Sequence, residues 1–290
     1  MIRLPRPAIA VLAGLVVVMA SGCSSASVTP RTGGSGGGGS NSSDPNAIIT
    51  SVINGGSTIK SFHIQIAVSG TIKKEALASE AASSGLRITS DVKLDGTAIE
   101  GDVDVANQAA HLTLNVPAMA MLGGIPITGD FILVDKALYY KVSLLGANYT
   151  KTDLGSLTDG LPVSIPSVGP SATSVTDEIT QIRTSMQQAG VTATLVGTDQ
   201  IGGKDAYHIN FSVPLDKLNA QIAAASSGAP SAALDSASVD FWVYKADSRP
   251  AKLEIKGASA SLGNLDFTVT ITNYDAAVTV AAPSADQINP

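Results

Sequence analysis

The stretch Val239-Asp240-Phe241-Trp242-Val243-Tyr244 decides the fold, because its pattern predicts a β-strand and recurs along the chain. Its odd-numbered residues are apolar and its even-numbered residues are more polar, which is the two-residue period of a strand with one apolar face. Residues 245–250 carry Asp, Ser and Pro and favour a turn, after which Leu253 and Ile255 resume the period. The region is therefore predicted to be a β-hairpin, and it contains the only Trp of the chain.

The same alternation predicts strands in most of the remaining sequence. Together with the hairpin, about ten strands are expected. Sequential strands joined by short turns favour antiparallel pairing. The other predicted segments are 62–68, 88–94, 99–105, 112–116, 131–134, 138–142, 191–196, 207–213 and 265–271, the last clear strand, which a short apolar run near 278–280 follows.

Three segments have the spacing of amphipathic helices instead. The first begins at Asp44 and Pro45, an N-cap followed by Pro at the first helical position, and is expected to end near Gly55-Gly56. The second carries Ile179, Ile182 and Met186 and ends at Gly190, and the third follows Pro214. Residues 73–84 have helical composition, but a long hairpin loop is an equally open interpretation. The fold class predicted from these patterns is α+β, with one large antiparallel sheet and a few helices.

The first residues indicate export. Arg3 and Arg6 precede the apolar run 8–20, which is too short to span a bilayer and is typical of a signal peptide. The run ends in Ala20-Ser21-Gly22-Cys23, which predicts cleavage after residue 22 and lipidation of Cys23. The alternative is an ordinary signal peptide with an incidental cysteine. Because Cys23 is the only cysteine, disulfides and thiolate metal sites are excluded from the folded part.

Composition sets the predicted domain boundaries. Residues 1–22 are the signal peptide, 23–43 the lipidated cysteine with a Gly/Ser tether, 44–283 the folded domain and 284–290 a C-terminal tail. A flexible coil as long as the tether has an r.m.s. reach of roughly 25 Å, so the domain is expected to stay close to the membrane. The formal net charge is −6 at pH 7. That sign disfavours nucleic acid and electrostatic adhesion to anionic lipid, and two acyl chains would supply the attachment.

The apolar strand faces exceed what the predicted helices can cover. About ten strands at about 4.8 Å make a sheet roughly 48 Å wide, whereas three helices cover roughly 30 Å. The apolar surface that remains must be removed from water by curvature of the sheet, by apolar loops or by a bound ligand. A sixteen-carbon acyl chain offers on the order of 12 kcal/mol of burial. We therefore predict an apolar cavity lined by Leu112, Leu114, Phe131, Leu133, Ile182 and Met186.

The loop 117–127 is unusually apolar and contains paired glycines, which permit movement. It is interpreted as a mouth or lid of the cavity, and a loop that is simply buried against the sheet is the alternative. The residues assigned to the mouth or lid are Met119, Met121, Leu122, Ile125 and Ile127.

The candidate motifs for catalysis, cofactor binding and metal binding lack the context or the partner residues that these functions need. G-x-S-x-G occurs at residues 33–37 inside the tether, and S-x-x-K at 57–60 has no partner motif. Residues 197–204 lack phosphate-loop spacing and are interpreted as a hairpin turn. His63, His111 and His208 fall on the polar faces of separate strands, without the spacing of zinc ligands. We therefore expect no catalytic residue, no cofactor and no metal. Four aspartates are interpreted as residues on solvent-exposed strand faces rather than as a calcium site. They are Asp91, Asp95, Asp102 and Asp104.

Several motifs in order resemble the mycobacterial envelope lipoprotein family of LppX, LprA, LprF and LprG. They span about Asp44 to Pro283, after the lipidation motif and tether. The resemblance implies a half-barrel sheet wrapped around helices, akin to the LolA/LolB lipoprotein carriers, that encloses a cavity for acylated lipids. Residues 73–84 and the glycines at 55 and 56 depart from the family pattern. The motifs are Asp44-Pro45, Gly197-Thr198-Asp199, Ile201-Gly202-Gly203-Lys204, Tyr207-His208-Ile209, the Trp hairpin, Thr270-Ile271-Thr272-Asn273-Tyr274 and Val278-Thr279-Val280-Ala281-Ala282-Pro283.

The predicted function is that of a non-enzymatic lipoprotein on the extracytoplasmic face of the cell membrane. It would bind a di- or triacylated lipid or glycolipid and carry or present it in the cell envelope, with a membrane transporter as a possible partner. One alternative is an envelope scaffold or sensor with a fully packed core. A lipid or cell-wall hydrolase is a second alternative, which the missing nucleophile and base disfavour.

Overall fold

The computed structural model describes residues 43–56, 59–83, 88–118, 124–153, 190–225 and 233–289. Within these ranges twelve strands form one open, antiparallel sheet in the order β7-β6-β5-β4-β3-β1-β12-β11-β10-β9-β8, and the short β2 pairs with β1. The helices are α1 (Pro45–Gly56), α2 (Lys74–Ser83), α3 (Leu215–Ala225) and a 3₁₀ turn, Ala285–Gln287. The strands are β1 (Ser61–Ile72), β2 (Val92–Lys93), β3 (Thr97–Asp104), β4 (Ala109–Val116), β5 (Ile127–Val134), β6 (Ala137–Val142), β7 (Thr150–Asp153), β8 (Thr192–Ile201), β9 (Lys204–Ser212), β10 (Ser236–Tyr244), β11 (Pro250–Ser259) and β12 (Gly263–Thr272).

The predicted class, α+β with one large antiparallel sheet, is confirmed. Residues 74–83 form a helix, so the loop interpretation of this segment is wrong. The predicted turn at residues 197–204 is shorter than expected, because β8 continues to Ile201 and only Gly202-Gly203 reverse the chain. The helix predicted around Ile182 and Met186 lies outside the described residues. The half-barrel curvature and the cavity stay predictions.

The chain forms two compact units. The described part of the first, unit 1, consists of residues 60–153 and 256–289, which include β1 to β7, α2 and β12. The described part of the second, unit 2, consists of residues 43–56, 59, 190–225 and 233–255, which include α1, β8 to β10 and α3.

The start of α1 in unit 2 follows the predicted capping. The Asp44 carboxylate accepts a hydrogen bond from the backbone N–H of Asn46 at 2.9 Å, and its carbonyl accepts the first bonds of the helix. Pro45 occupies the first helical position, where no N–H is needed. Ile48 is fully buried and α1 contacts β8, so the apolar stripe of the helix faces the sheet of this unit.

The Trp hairpin forms the core of unit 2, and it is more buried than the alternation predicts. Ile209 and Val243 are completely buried, as expected for the apolar face. Trp242 and Tyr244, which were assigned to the polar face, are only 6% and 3% exposed. Trp242 is covered because it stacks on His208 with ring centroids 4.3 Å apart. The prediction that one face of β10 is polar and exposed to solvent is therefore wrong at this end of the strand.

The C-terminal segment of unit 1 covers the outermost strands. Val280 and Ile288 pack against a buried cluster of Ile132, Ala137, Tyr139 and Tyr149. Residue 288 also forms a parallel bridge with residue 149 at the start of β7. The short apolar run at 278–280 makes no ladder and contributes an apolar side chain to this cluster.

Tyr149 links this cluster to the polar face of the sheet. Its hydroxyl donates to a carboxylate oxygen of Asp130 at 2.6 Å, and the side chain of Lys141 lies 4.5 Å from the centre of its ring. Burial, and then the hydrogen bond to Asp130, raises the pKa of Tyr149 to about 12. The protonated phenol is therefore the form that the folded chain favours.

We expect Tyr149→Phe to lower the free energy of unfolding by about 1.5 kcal/mol at pH 7, because a hydrogen bond to a charged acceptor is lost. Since the pKa is raised on folding, the contribution of the hydroxyl is fully present below about pH 10 and is lost as the pH rises towards 12. Urea unfolding at pH 7 and at pH 9 to 12 measures both effects. Tyr140→Phe is the control, because the Tyr140 hydroxyl makes no hydrogen bond within the described residues. Equal losses in the two variants would contradict the assignment.

Candidate functional site

The register of unit 1 places one row of apolar side chains from each strand on the same side of the sheet. Ile66, for example, lies opposite Ile99 on β3 and Val269 on β12, and Ile99 lies opposite Leu114 on β4. The row continues through Gly129 on β5 to Val142 on β6. We call this side the apolar face. Its large apolar members are Phe62, Ile64, Ile66, Val68, Ile99, Val103, Leu112, Leu114, Val116, Ile127, Phe131, Leu133, Leu138, Tyr140, Val142, Leu265, Phe267, Val269 and Ile271.

These side chains are only partly buried. Phe267 is the one buried member of the set, at 7% exposed, and the others are half-buried. On the opposite side of the same strands, Ile132 and Tyr139 are 6% and 7% exposed beneath the C-terminal segment. The tightly covered cluster of unit 1 therefore lies on the side with fewer apolar residues. The large side chains of the apolar face, apart from Phe267, are therefore only partly covered.

The structure brings four of the predicted cavity residues together. Leu112 and Phe131 are direct cross-strand partners on β4 and β5, and Leu114 and Leu133 occupy neighbouring positions of the same face. Among the predicted mouth residues, Ile127 begins β5 on the apolar face, and Ile125 lies before it with 54% of its surface exposed. The remaining predicted residues lie outside the described ranges: Cys23, Met119, Met121, Leu122, Ile182 and Met186.

Two glycines shape the apolar face, and the sequence analysis missed both. Gly101 lies opposite Leu112 with φ 157°, and a Cβ there would collide with the backbone carbonyl of His111. Gly129 lies opposite Leu114, and a Cβ there would come within 2.7 Å of the Phe131 ring. At both positions the place of a side chain is already occupied, by backbone at Gly101 and by the Phe131 ring at Gly129. Glycine within a strand, where backbone or ligand approaches closely, is the signal that could have identified them.

Thr97 is the polar exception on this face. It lies opposite Val68 on β1, and its hydroxyl is buried with no hydrogen-bond partner in the described part of the chain. A buried hydroxyl without a partner costs roughly 1–3 kcal/mol. A ligand with an ester or hydroxyl group could supply the missing bond.

The polar side of unit 1 carries paired charges. Nδ1 of His63 lies 2.9 Å from Asp102, and Nε2 of His111 lies 2.7 Å from Asp130. Each pair joins two neighbouring strands. The predicted position of these histidines on polar strand faces is confirmed, and their carboxylate partners were not foreseen, because register cannot be read from a single strand.

Unit 2 has a polar cluster around His208. Its two ring nitrogens lie 3.1 Å from Asp199 and 2.9 Å from Asp240, and Asn210 donates to the same oxygen of Asp240. The indole N–H of Trp242 donates to Asp199 at 2.8 Å. Within the described ranges, no group of three or more His, Cys, Asp or Glu side chains could hold a metal ion. The side-chain contacts of the cluster join β8, β9 and β10.

A depression of about 520 Å³ lies at the two hairpin turns of unit 2. Lys204 and Lys245 line it together with Asp205 and Asp247, so its walls carry both signs of charge. A polar, open depression is a poor site for a hydrocarbon chain. None of the described helices has the length and apolar character to cross a membrane.

Comparisons with known proteins give structural likeness alone. No protein-family model matches the chain, and no curated protein matches it by sequence. The lipoprotein LppX of Mycobacterium tuberculosis is 17% identical, with a TM-score of 0.41 over 82% of this chain and 100% of LppX. LprF of Mycobacterium bovis is 16% identical, with a TM-score of 0.42 over 84% and 100%. A LolA-superfamily protein of Nitrosomonas europaea, NE2245, is 10% identical, with a TM-score of 0.22 over 83% and 95%. The solved structures to which this chain is similar thus include LppX and LprF, two members of the group that its motifs resemble.

Proposed function

We propose that the protein is a membrane-anchored, non-enzymatic lipoprotein of the cell envelope that binds the acyl chains of a di- or triacylated lipid or glycolipid. The acyl chains lie against the apolar face of unit 1, and the protein carries or presents the lipid. The diacylglyceryl group on Cys23 holds it on the extracytoplasmic side of the membrane. A membrane transporter would be a natural partner for delivery.

One observation carries the proposal: large apolar side chains cover one side of six neighbouring strands, and almost all of them are half-buried. Burying apolar surface gains roughly 25 cal/mol per Å², so an incompletely covered face of this extent favours a ligand. Aliphatic residues predominate, and they suit flexible hydrocarbon chains better than a flat ring system. Contiguous exposed apolar surface on a monomer generally marks an interaction site.

The apolar face would provide an apolar environment for the acyl chains of the lipid. The lipid's acyl chains leave the bilayer and lie among side chains such as Leu112 and Phe131, while the polar head stays at the edge of the sheet. A polar atom of the ligand that reached the Thr97 hydroxyl would supply the hydrogen bond that this group lacks within the described residues. Since the chains exchange one apolar environment for another, transfer in either direction needs little driving force.

Native mass spectrometry tests this function. We expect the Cys23→Ser protein, purified under gentle conditions, to carry a co-purified lipid or to take up added diacyl lipid at one copy per chain. Substitution of Cys23 removes the covalent acyl groups, so any remaining lipid mass is non-covalent. A ligand-free mass that stays unchanged after incubation with diacyl and triacyl lipids would refute the proposal.

A further inference from the structure

Exposed large apolar residues concentrate at one end of the unit 1 sheet. The register pairs Val116 with Ile127, Gly129 with Val142, and Ile72 with Gly263. The β6–β7 loop, the β11–β12 turn and the described parts of the β4–β5 loop and of the β1–β3 connection therefore lie at the same end of these strands. We call it the apolar end, after its exposed residues Ile125, Leu144, Leu145 and Leu262.

Every exposed large hydrophobic residue in the described part of unit 1 is at this end. Leu145 is 72% exposed, Leu144 and Ile125 are each 54% exposed, and Leu262 is 38% exposed. The turns at the opposite end are polar instead. Asp104 bonds the backbone and side chain of Asn107 in one, and Asp135-Lys136 form the other.

No charged group lies within residues 124–129 or 142–150. The nearest charges on the strands are engaged on the polar side of the sheet. Asp130 accepts from Tyr149, Lys141 lies over the Tyr149 ring, and Lys151 lies 5.8 Å from the ring centre of Tyr139. These two loops can therefore enter an apolar medium without stripping water from a charge. The charged groups at this end belong to the β1–β3 connection beside Leu262, where Lys73 pairs with Asp91, and they suit the level of lipid head groups. The described part of this connection also carries Lys74, Glu75, Lys93 and Asp95.

We propose that the apolar end of unit 1 docks on a lipid bilayer, with Ile125, Leu144 and Leu145 inserted at the level of the upper acyl chains. A bilayer fits better than a protein partner because the predicted acyl anchor and short tether already hold the chain at a membrane. Tethering raises the effective concentration of the surface for even a weak insertion. The docking rests on the proposed function for this anchor, but it does not require that a lipid be bound.

The apolar end is also continuous with the apolar face. Ile127 and Val142, the terminal strand residues next to the two loops, both belong to that face. A lipid that left a bilayer at Leu144 and Leu145 would meet apolar side chains from the loop to the centre of the sheet. The net negative charge of the chain predicts that zwitterionic lipid suffices for docking.

Site-specific fluorescence tests the docking. One-cysteine variants of the full chain are made on the Cys23→Ser background and carry a nitrobenzoxadiazole label at Leu145→Cys, Ala106→Cys or Val196→Cys. Position 106 is an exposed site at the opposite end of the unit 1 strands, and Val196 is 57% exposed in unit 2. All three sites are open, so folding should be retained.

With phosphatidylcholine vesicles, we expect the label at position 145 to brighten and to be quenched by nitroxide-bearing lipid, while labels at 106 and 196 do not respond. A further variant carries the label at Ile125→Cys. Adding Leu144→Ser and Leu145→Ser to it should weaken its binding to vesicles about tenfold, or about 1.4 kcal/mol. Equal responses at 145 and 106, or none at 145, would overturn the docking. A response that needs no vesicles and grows with protein concentration would assign the end to a second copy and overturn it as well. Lipid uptake is measured separately by mass spectrometry. Failure of the docking proposal and failure of the lipid-binding proposal can therefore be told apart.

Discussion

Leu112→Asp combined with Phe131→Asp is expected to weaken binding of a diacyl lipid at least about a hundredfold, or about 2.7 kcal/mol. The two residues face each other across β4 and β5 on the apolar face, and both are half-buried. A carboxylate beside an acyl chain must lose water without gaining a partner, which costs several kcal/mol. Titration with a fluorescent diacyl lipid, followed by native mass spectrometry, measures the loss.

The same two strands supply the matched control. Asn115 and Thr128 are also direct cross-strand partners, but they lie exposed on the opposite side of the sheet. Asn115→Asp with Thr128→Asp introduces the same pair of facing negative charges, so repulsion between them is shared by both variants. We expect lipid affinity in this control to stay within about threefold of the parent, which is less than 1 kcal/mol. Equal weakening in both double variants would argue against the apolar face as the site.

The unfolding free energy of the double variant distinguishes binding from packing. If the face serves a ligand, the lipid-free protein should lose little stability, because both side chains already contact open space. A loss of more than about 3 kcal/mol without lipid would mean that the face packs against other parts of the chain. Leu112→Trp is the second probe, since it keeps the face apolar and should shorten the longest acyl chain that the protein accepts.

Ile209→Ala is expected to lower the free energy of unfolding by about 3–4 kcal/mol. Ile209 is completely buried in unit 2, where it lies between Leu195 on β8 and Phe241 on β10. Removing three carbon atoms leaves a cavity that regular strand pairing prevents from closing. Urea unfolding followed by the fluorescence of Trp242, the only Trp, measures the change in the unit that carries the substitution.

Two further variants calibrate that result. Ile209→Val removes one methylene and should cost about 1 kcal/mol. Val196→Ala lies at the bulge of β8, where the side chain is 57% exposed, and should change stability by less than about 0.5 kcal/mol. A loss below about 1 kcal/mol for Ile209→Ala would mean that this core is loosely packed and collapses around the gap.

Strands with one apolar and one polar row could be predicted from sequence, because burial of one row imposes the period. β1, β3, β4 and β12 are of this kind. β7 could not be predicted: its sequence, Thr150–Asp153, has no apolar residue on either side. It is held by the cross-strand pairing with β6 and by the backbone contacts of Tyr149, which depend on residues far along the chain.

The candidate site was predictable in composition but not in arrangement. Leu112, Leu114, Phe131 and Leu133 were identified because they lie on apolar rows, and the register then places them side by side. The polar clusters escaped prediction for the converse reason. His208, Asp199 and Asp240 come from three strands, and only pairing brings their side chains within hydrogen-bonding distance. The alternation assigned Trp242 to the polar face of its strand, because its stacking on His208 depends on strand pairing.

The parallel bridge between residues 149 and 288 has a consequence for how the chain is made. β7 is an end strand of the sheet, and open edges of this kind recruit other strands. The segments that meet there are 139 residues apart, as Asn289 and Thr150 show, so the covering segment is synthesised well after the strand that it covers. Until that segment has been made, the growing polypeptide lacks the residues that occupy this edge. A delay in assembly of the sheet until the segment is available would therefore protect the protein from premature self-association.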